Sequence, residues 1–257
     1  METYKAIIFD IGGVCVGSPL EGIAQYERKH NLPPNFINVS ISKAGENGAF
    51  QRLERGEITV HEFLKIFSEE MSNPKNKELY LEYLLLRGDK TISNETSIFP
   101  ATITIEGKEL FQIMIAKMTK LNPIMFKAIK KLKASNKFKI VALTNNFQFS
   151  NEDSQIMEPI GGNIPLELKN LFDEYIESSI IGMRKPDPKI FLYTCNKLKI
   201  EPKEAIFLDD IGINLKSAKN LGMKTIKVEL NNSEKAIKEL EKSIGISLLN
   251  NDNKLKL

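Results

Sequence analysis

The sequence has 257 residues, of which 42% are hydrophobic and 27% are charged. These values are typical of a globular chain and exclude a disordered or fibrous protein. The 36 Lys and Arg residues outnumber the 33 Asp and Glu residues only slightly. The resulting net charge of +3 indicates neither a nucleic acid nor a membrane surface as partner.

Two cysteines, Cys15 and Cys195, stand in apolar surroundings without metal-ligand spacing, which is typical of a reducing compartment. No apolar run approaches the roughly 20 residues of a membrane-spanning helix. The first predicted strand starts near residue 4, which leaves no room for a signal peptide. We therefore expect a cytoplasmic protein. A weak alternative is a peroxisomal one, because residues 255–257 partly resemble a peroxisomal address.

The first predicted element is a short apolar strand, Tyr4–Phe9, which ends at Asp10. A long interval, residues 18–120, follows it with helical periodicity and little strand signal. Thr59 and Glu62 match a capping box at the start of one of its helices. Other helices are predicted near Leu20–His30, Pro74–Arg87 and Gly107–Thr119. Residues 93–107 match no clear pattern and are left unassigned.

Beyond residue 121, short apolar strands alternate with amphipathic helices. The predicted strands are Phe138–Leu143, Ala205–Leu208 and Lys224–Val228, and the predicted helices are Pro188–Leu198, Asn214–Leu221 and Ser233–Ser243. Residues 151–165 are predicted to form a loop. This alternation is typical of a doubly wound parallel α/β sheet. We therefore predict an α/β core made of residues 1–17 and 121–257, with residues 18–120 inserted as a helical domain.

Short polar side chains follow three of the predicted strands. Asp10 ends the first strand, Thr144 and Asn145 end the second, and Asp209 and Asp210 close a third. The carboxyl ends of parallel strands meet at one edge of a sheet, where ligands bind. These groups are therefore expected to line one crevice.

Carboxylates brought together in a crevice repel one another, and a hard cation such as Mg²⁺ relieves the repulsion. The Thr144 hydroxyl and the Asn145 amide are suited to the oxygens of a phosphate, and Lys185 adds a compact positive charge. A carboxylate nucleophile beside a metal and a lysine suits phosphoryl transfer through an aspartyl-phosphate. The implied partner is a small phosphorylated substrate.

Four segments, taken in chain order, resemble the motifs of the haloacid dehalogenase (HAD) superfamily. They are "IIFDIGGV", "VALTN", "RKPDPKIF" and "IFLDDIGINLKSAKNLGM". The resemblance implies a Rossmann-like core with a helical cap inserted after the first motif. It also implies Asp10 as nucleophile, Thr144 as phosphate ligand and Lys185 as the catalytic lysine.

The same resemblance implies a Mg²⁺ ion bound by Asp10, Asp210 and the main-chain carbonyl of Gly12. Asp209 and Asn214 match the fourth motif and are expected to support the site. The residues of the motifs are most similar to those of one branch of the superfamily. That branch contains the amino-terminal phosphatase domain of soluble epoxide hydrolase and a related domain of some acyl-CoA dehydrogenase family proteins. Nothing in the chain resembles the epoxide-opening domain, so epoxide hydrolysis is not expected.

Gly12 departs from the pattern of the family's phosphatases, which usually have an acid two residues after the nucleophile. That acid moves protons to the leaving group and from water, a contribution that is typically 10²- to 10⁴-fold. The favoured interpretation is a slow or specialised phosphatase in which a cap acid or a water supplies the proton. The acids considered are Glu46, Glu54 and Glu57. Two alternatives stay open: a non-catalytic module that binds a phosphorylated ligand, and a 2-haloacid dehalogenase, which needs no leaving-group acid.

Overall fold

The computed structural model describes residues 4–88, 98–150, 153 and 164–249. Backbone contacts divide the chain into two compact units. The first comprises Met1–Gly17, Met118–Asn145 and Asn163–Leu257, and the second comprises Ser18–Lys117 and Asn146–Gly162. Within the second unit, the rings of Phe147 and Phe149 pack against Phe111, with centroids 5.0 and 6.4 Å away. This packing explains why the segment after residue 145 groups with the second unit, whereas the sequence analysis assigned residues 121–257 to the core.

The first unit contains a five-stranded parallel sheet with the strand order β3-β2-β1-β4-β5. The strands are β1 (Ala6–Phe9), β2 (Lys139–Thr144), β3 (Glu174–Glu177), β4 (Ala205–Asp209) and β5 (Lys224–Lys227). The sequence predicted four of them within two residues at each end. It missed β3, an edge strand in which Ile176 alone is buried, so that its sequence shows no apolar run.

Helices cover both faces of this sheet, as the doubly wound prediction requires. In chain order the helices among the described residues are α1 (Pro19–Lys29), α2 (Phe36–Lys43), α3 (Ala49–Glu54), α4 (Val60–Met71), α5 (Lys75–Leu86), α6 (Gly107–Met118), α7 (Pro123–Ser135), α8 (Leu166–Lys169), α9 (Ser178–Ile181), α10 (Pro188–Leu198), α11 (Gly212–Asn220) and α12 (Ser233–Ile244). Ile7 and Phe9 share one apolar cluster with residues of α7 and α12. Ile8 shares the opposite cluster with residues of α10 and α11. Adjacent residues of a strand point to opposite faces, so both faces of β1 are buried.

The second unit consists of α1 to α5 and most of α6, packed around its own apolar cluster. The capping box predicted at Thr59 and Glu62 is confirmed: the Thr59 hydroxyl accepts from the Glu62 N–H, and the Glu62 carboxylate accepts from the Thr59 N–H. Residues 98–106 of the unassigned stretch form neither helix nor strand, and residues 93–97 lie outside the described part of the chain. Most of the loop predicted over residues 151–165 also lies outside it. Among the described residues, no helix is both long enough and apolar enough to cross a membrane.

A buried carboxylate on α1 caps the start of α2. Glu27 is 2% exposed, and its two oxygens accept from the N–H groups of Asn35 and Ile37, each at 2.9 Å. These donors have no intrahelical partner, because they lie at the first turn of a helix. The carboxylate therefore satisfies one buried main-chain donor, that of Ile37, and one partly buried donor, that of Asn35.

We expect Glu27→Ala to lower the free energy of unfolding by roughly 1–3 kcal/mol, because it leaves the buried Ile37 N–H without an acceptor and exposes the Asn35 N–H to water. Urea unfolding followed by circular dichroism measures this loss. Glu21→Ala, which removes an exposed acid from the same helix, is the control and should change little. Equal losses in the two variants would contradict the capping role of Glu27.

Candidate active site

The sheet places three polar strand ends side by side. β1 lies between β2 and β4, and Phe9 is in register with Ala142 on one side and Leu208 on the other. Asp10, Thr144 and Asp209 therefore all stand at the carboxyl edge of adjacent strands. The Asp10 carboxylate is 9% exposed, and one of its oxygens, Oδ1, accepts from the N–H of Ile11 at 2.7 Å.

Lys185 reaches this edge with a side chain that is only 1% exposed. Its Nζ lies 2.8 Å from Asp10 Oδ1 and 2.8 Å from Asp209 Oδ2. Burial alone would lower the pKa of Lys185, but the two carboxylates outweigh that effect and raise it. The ammonium therefore stays charged and links the ends of β1 and β4.

Asp209 is fully buried and both of its oxygens have donors. Oδ2 accepts from Lys185, Oδ1 accepts from the N–H of Ile211 at 2.7 Å, and the Asn214 amide donates to both at 3.2 and 3.1 Å. A carboxylate with this many donors is held in one orientation. The role of Asp209 and Asn214 in supporting the site stays a prediction.

Asp210 contrasts with its neighbour, because its Oδ1 is buried without a hydrogen-bond partner among the described residues. Oxygens of Asp10, Asp209 and Asp210 lie within 4.8 Å of one another. Burial, with the charge of Asp209, raises the pKa of Asp210 to about 7. Burial also raises the pKa of Asp10 well above its ordinary value, against the opposing effect of Lys185. Two buried carboxylates thus share one ammonium, and a third, partly buried carboxyl group lies beside them.

Such a cluster fits a divalent cation. Hard cations take carboxylate and carbonyl oxygens, and a buried acceptor without a donor is a position that an ion can fill. Asp10 and Asp210 offer the carboxylates, and Gly12 lies two residues after Asp10 in the turn that leaves β1. The residues present therefore agree with the magnesium ligands that the sequence analysis names, while the ligand roles themselves stay a prediction.

Gly13 makes room for Asp210, a role that the sequence analysis did not identify. Its φ is +77°, and a Cβ at this position would lie 2.2 Å from Asp210 Oδ2. Any side chain would therefore displace the carboxylate as well as strain the backbone. The left-handed conformation of Gly13 belongs to the turn that follows β1. Gly13 and Asp210 are almost two hundred positions apart, so the sequence around Gly13 gives no sign of this contact.

Thr144 is the last residue of β2 and is 2% exposed, and its hydroxyl donates to the Asn145 carbonyl at 3.3 Å. The Asn145 side chain bonds to the main chain of Lys185 through both its oxygen and its nitrogen. The contact predicted between Asn145 and a phosphate stays a prediction.

Two of the acids considered as alternative proton donors lie in ion pairs of the second unit. Glu46 and Glu57 lie 3.0 and 2.6 Å from Arg55. The hydrogen bond from Arg55 lowers the pKa of Glu57. An acid that is ionised at neutral pH has no proton to donate, which argues against Glu57 as the leaving-group acid.

The doubly wound sheet with acids at its carboxyl edge defines a class of hydrolase. The family model for "haloacid dehalogenase-like hydrolase" matches residues 4–222. The chain belongs to the haloacid dehalogenase-like hydrolases.

Two curated relatives are similar along almost the whole chain. "Acyl-CoA dehydrogenase family member 10" of Mus musculus is 35% identical over 248 residues, which cover 96% of this chain and 20% of that protein. "Bifunctional epoxide hydrolase 2" of Sus scrofa is 32% identical over 246 residues, which cover 95% of this chain and 40% of that protein. The chain thus spans only a fifth and two fifths of these relatives. The resemblance predicted from the motifs is confirmed.

A solved structure supports the fold. A HAD family enzyme from Bacteroides thetaiotaomicron, in complex with magnesium and inorganic phosphate, superposes with a TM-score of 0.51. It is 20% identical in sequence, and the match covers 88% of this chain and 95% of that one. At this identity the likeness shows the fold, and the Rossmann-like HAD prediction is confirmed.

Proposed function

We propose that the chain is a Mg²⁺-dependent phosphatase that hydrolyses a small phosphate ester through an aspartyl-phosphate on Asp10. The observation that carries the proposal is the cluster of three carboxylates at the sheet edge: Asp10 and Asp209 pair with Lys185, and Asp210 keeps a buried oxygen without a hydrogen-bond partner among the described residues. The magnesium and phosphate in the similar Bacteroides structure support it. A dehalogenase that displaces a halide from carbon has no evident use for the additional acids.

In the proposed reaction an oxygen of Asp10 attacks phosphorus, the bond between phosphorus and the ester oxygen breaks, and the leaving oxygen takes its proton from water or from an acid of the helical residues 18–120. Lys185 Nζ, 2.8 Å from Asp10 Oδ1, offsets the negative charge that develops on the phosphoryl oxygens. Asp10, Asp210 and the Gly12 carbonyl would hold Mg²⁺, which would neutralise further negative charge on the phosphate. Water then hydrolyses the aspartyl-phosphate and releases phosphate. The helical residues 18–120 are proposed as the cap that decides which ester enters.

A panel of alkyl and aryl phosphate esters, assayed with Mg²⁺ and with EDTA, tests the proposal. We expect phosphate release that requires Mg²⁺. Halide release from 2-haloacids without metal would instead establish a dehalogenase. Tight binding of inorganic phosphate without turnover of any ester would establish a non-catalytic module. Either of these two results contradicts the phosphatase.

We expect the thermal stability of the metal-free protein to fall as the pH rises through about 7. The folded pKa of Asp210 is raised to about 7 from an ordinary value of 3.8, so folding favours the protonated carboxyl. That contribution is complete at low pH and is lost as the group ionises beside Asp209. Calorimetry in EDTA at pH 5 and pH 8 measures the loss.

Mg²⁺ should raise Tm more at pH 8 than at pH 5, because it binds the ionised carboxylates. The matched control is Asp210→Asn, which should reduce the pH dependence to the part that comes from the raised pKa of Asp10, and should weaken the effect of Mg²⁺. A Tm that is independent of pH and of Mg²⁺ in the unaltered protein would exclude this carboxylate as a metal ligand.

A further inference from the structure

The main chain at Lys185 is bonded to a residue 40 positions earlier. The Oδ1 atom of Asn145 accepts from the Lys185 N–H at 2.8 Å, and its Nδ2 donates to the Lys185 carbonyl at 2.9 Å. A single amide thus makes two hydrogen bonds to the same residue, one in each direction. The two bonds resemble those that one strand makes to its neighbour in a sheet. Together they fix the position and the orientation of the Lys185 main chain.

These two hydrogen bonds hold the main chain of a residue whose side chain is also held at its far end. Its side chain is 1% exposed and extends from the bonded main chain to Asp10 and Asp209, both at 2.8 Å. A long flexible side chain loses considerable conformational entropy when its ammonium is held in one place. Because Asn145 fixes the main chain of Lys185, fewer conformations of the side chain have to be excluded for the ammonium to contact Asp10.

We propose that Asn145 is a positioning residue, which holds the main chain of Lys185 so that Nζ meets Asp10. The inference rests on the proposed function, because it assigns Lys185 a place in phosphoryl transfer. It differs from the direct phosphate contact that the sequence suggested. The side chain of Asn145 holds the main chain of Lys185, and the ammonium of Lys185 contacts the reacting oxygens.

The first test measures Lys185 itself and needs no turnover. Acetic anhydride acetylates exposed amines, and peptide mass spectrometry gives the rate at Lys185 in the full chain without substrate. In the unaltered protein the rate should be slow, since the amine is buried and paired. In Asn145→Ala it should rise by about tenfold to a hundredfold, because two hydrogen bonds that hold the segment closed are lost.

The matched control is Asn122→Ala. Asn122 also makes two main-chain bonds in the first unit, accepting from Met125 N–H and donating to the Val14 carbonyl. Its loss should lower Tm about as much as that of Asn145, yet leave acetylation at Lys185 unchanged. A comparable rise of the acetylation rate in both variants would mean that Asn145 only contributes to the stability of the unit, and would overturn the proposal.

The second test uses the ester that the wild type hydrolyses best. Asn145→Ala should lower kcat by about tenfold to a hundredfold with a smaller change in KM, because the lysine is misplaced while the phosphate site remains. An unchanged acetylation rate in folded Asn145→Ala, with a raised KM, would overturn the proposal in favour of direct phosphate contact. If no ester is hydrolysed at all, the phosphatase fails, and the acetylation experiment still decides the role of Asn145.

Discussion

Asp10→Asn should lower the hydrolysis of every phosphate ester by at least about 10⁴-fold, as the removal of a catalytic nucleophile does in other hydrolases. An amide has no anionic oxygen with which to attack phosphorus. The substitution keeps the size and shape of the side chain, so that substrate binding should change far less than kcat.

The same variant should remain folded. Lys185 keeps its 2.8 Å contact with Asp209 Oδ2 when the charge of Asp10 is removed. Because Asp10, Asp209 and Asp210 repel one another in the metal-free protein, losing one charge should leave Tm unchanged or raise it. Activity and stability are thus expected to move independently.

Phosphate release in the presence of Mg²⁺ measures the activity, and calorimetry in EDTA measures Tm. Hydrolysis that persists at the wild-type rate in Asp10→Asn would exclude Asp10 as the nucleophile. A variant that unfolds would mean that the carboxylate is needed chiefly to neutralise Lys185. The two results are separable because the assays are independent.

Gly12→Asp should raise the turnover of alkyl phosphate esters by about 10²- to 10⁴-fold, the usual contribution of a general acid. Unlike Gly13, Gly12 does not have a positive φ, so the strain of a left-handed backbone does not oppose a side chain at this position. The new carboxyl would stand two residues after the nucleophile, where it can protonate the leaving oxygen.

The signature of this gain is its dependence on the leaving group. In the wild type, esters of acidic phenols should react much faster than alkyl esters, because a phenolate leaves without being protonated. Gly12→Asp should reduce that difference, since general acid catalysis helps poor leaving groups most. The measurement is kcat/KM across a series of leaving-group pKa values. An equal slope in both proteins would show that another group already supplies the proton.

The adjacent glycine provides the control. Gly13→Asp places a side chain where even a Cβ would lie 2.2 Å from Asp210 Oδ2, in a backbone with φ +77°. It should therefore lose activity and Mg²⁺ binding. A gain of activity in both variants would mean that added negative charge, rather than placement, is responsible.

The strands that carry the site could be predicted because each is a run of buried apolar residues. All four residues of β1 and all five of β4 are buried, and the acids that end them break the apolar pattern abruptly. The edge strand β3 could not be predicted in this way. Its outer position leaves three of its four residues partly exposed, so that the signal that reveals a strand is absent.

The sequence by itself determined the class of the protein, the order of its motifs and the identity of the acids at the sheet edge. Those features are local: each depends on residues that are neighbours in the chain. Only the tertiary structure decided that Asn145 bonds the main chain of Lys185, that Asp209 is saturated while Asp210 is not, and that Gly13 clears space for Asp210. The Asn145–Lys185 and Gly13–Asp210 contacts join residues 40 and almost 200 positions apart, and the ion pair of Asp209 reaches back 24 positions to Lys185. Such contacts exist only once the parallel strands bring their carboxyl ends together, and no local pattern of residue types encodes the distances.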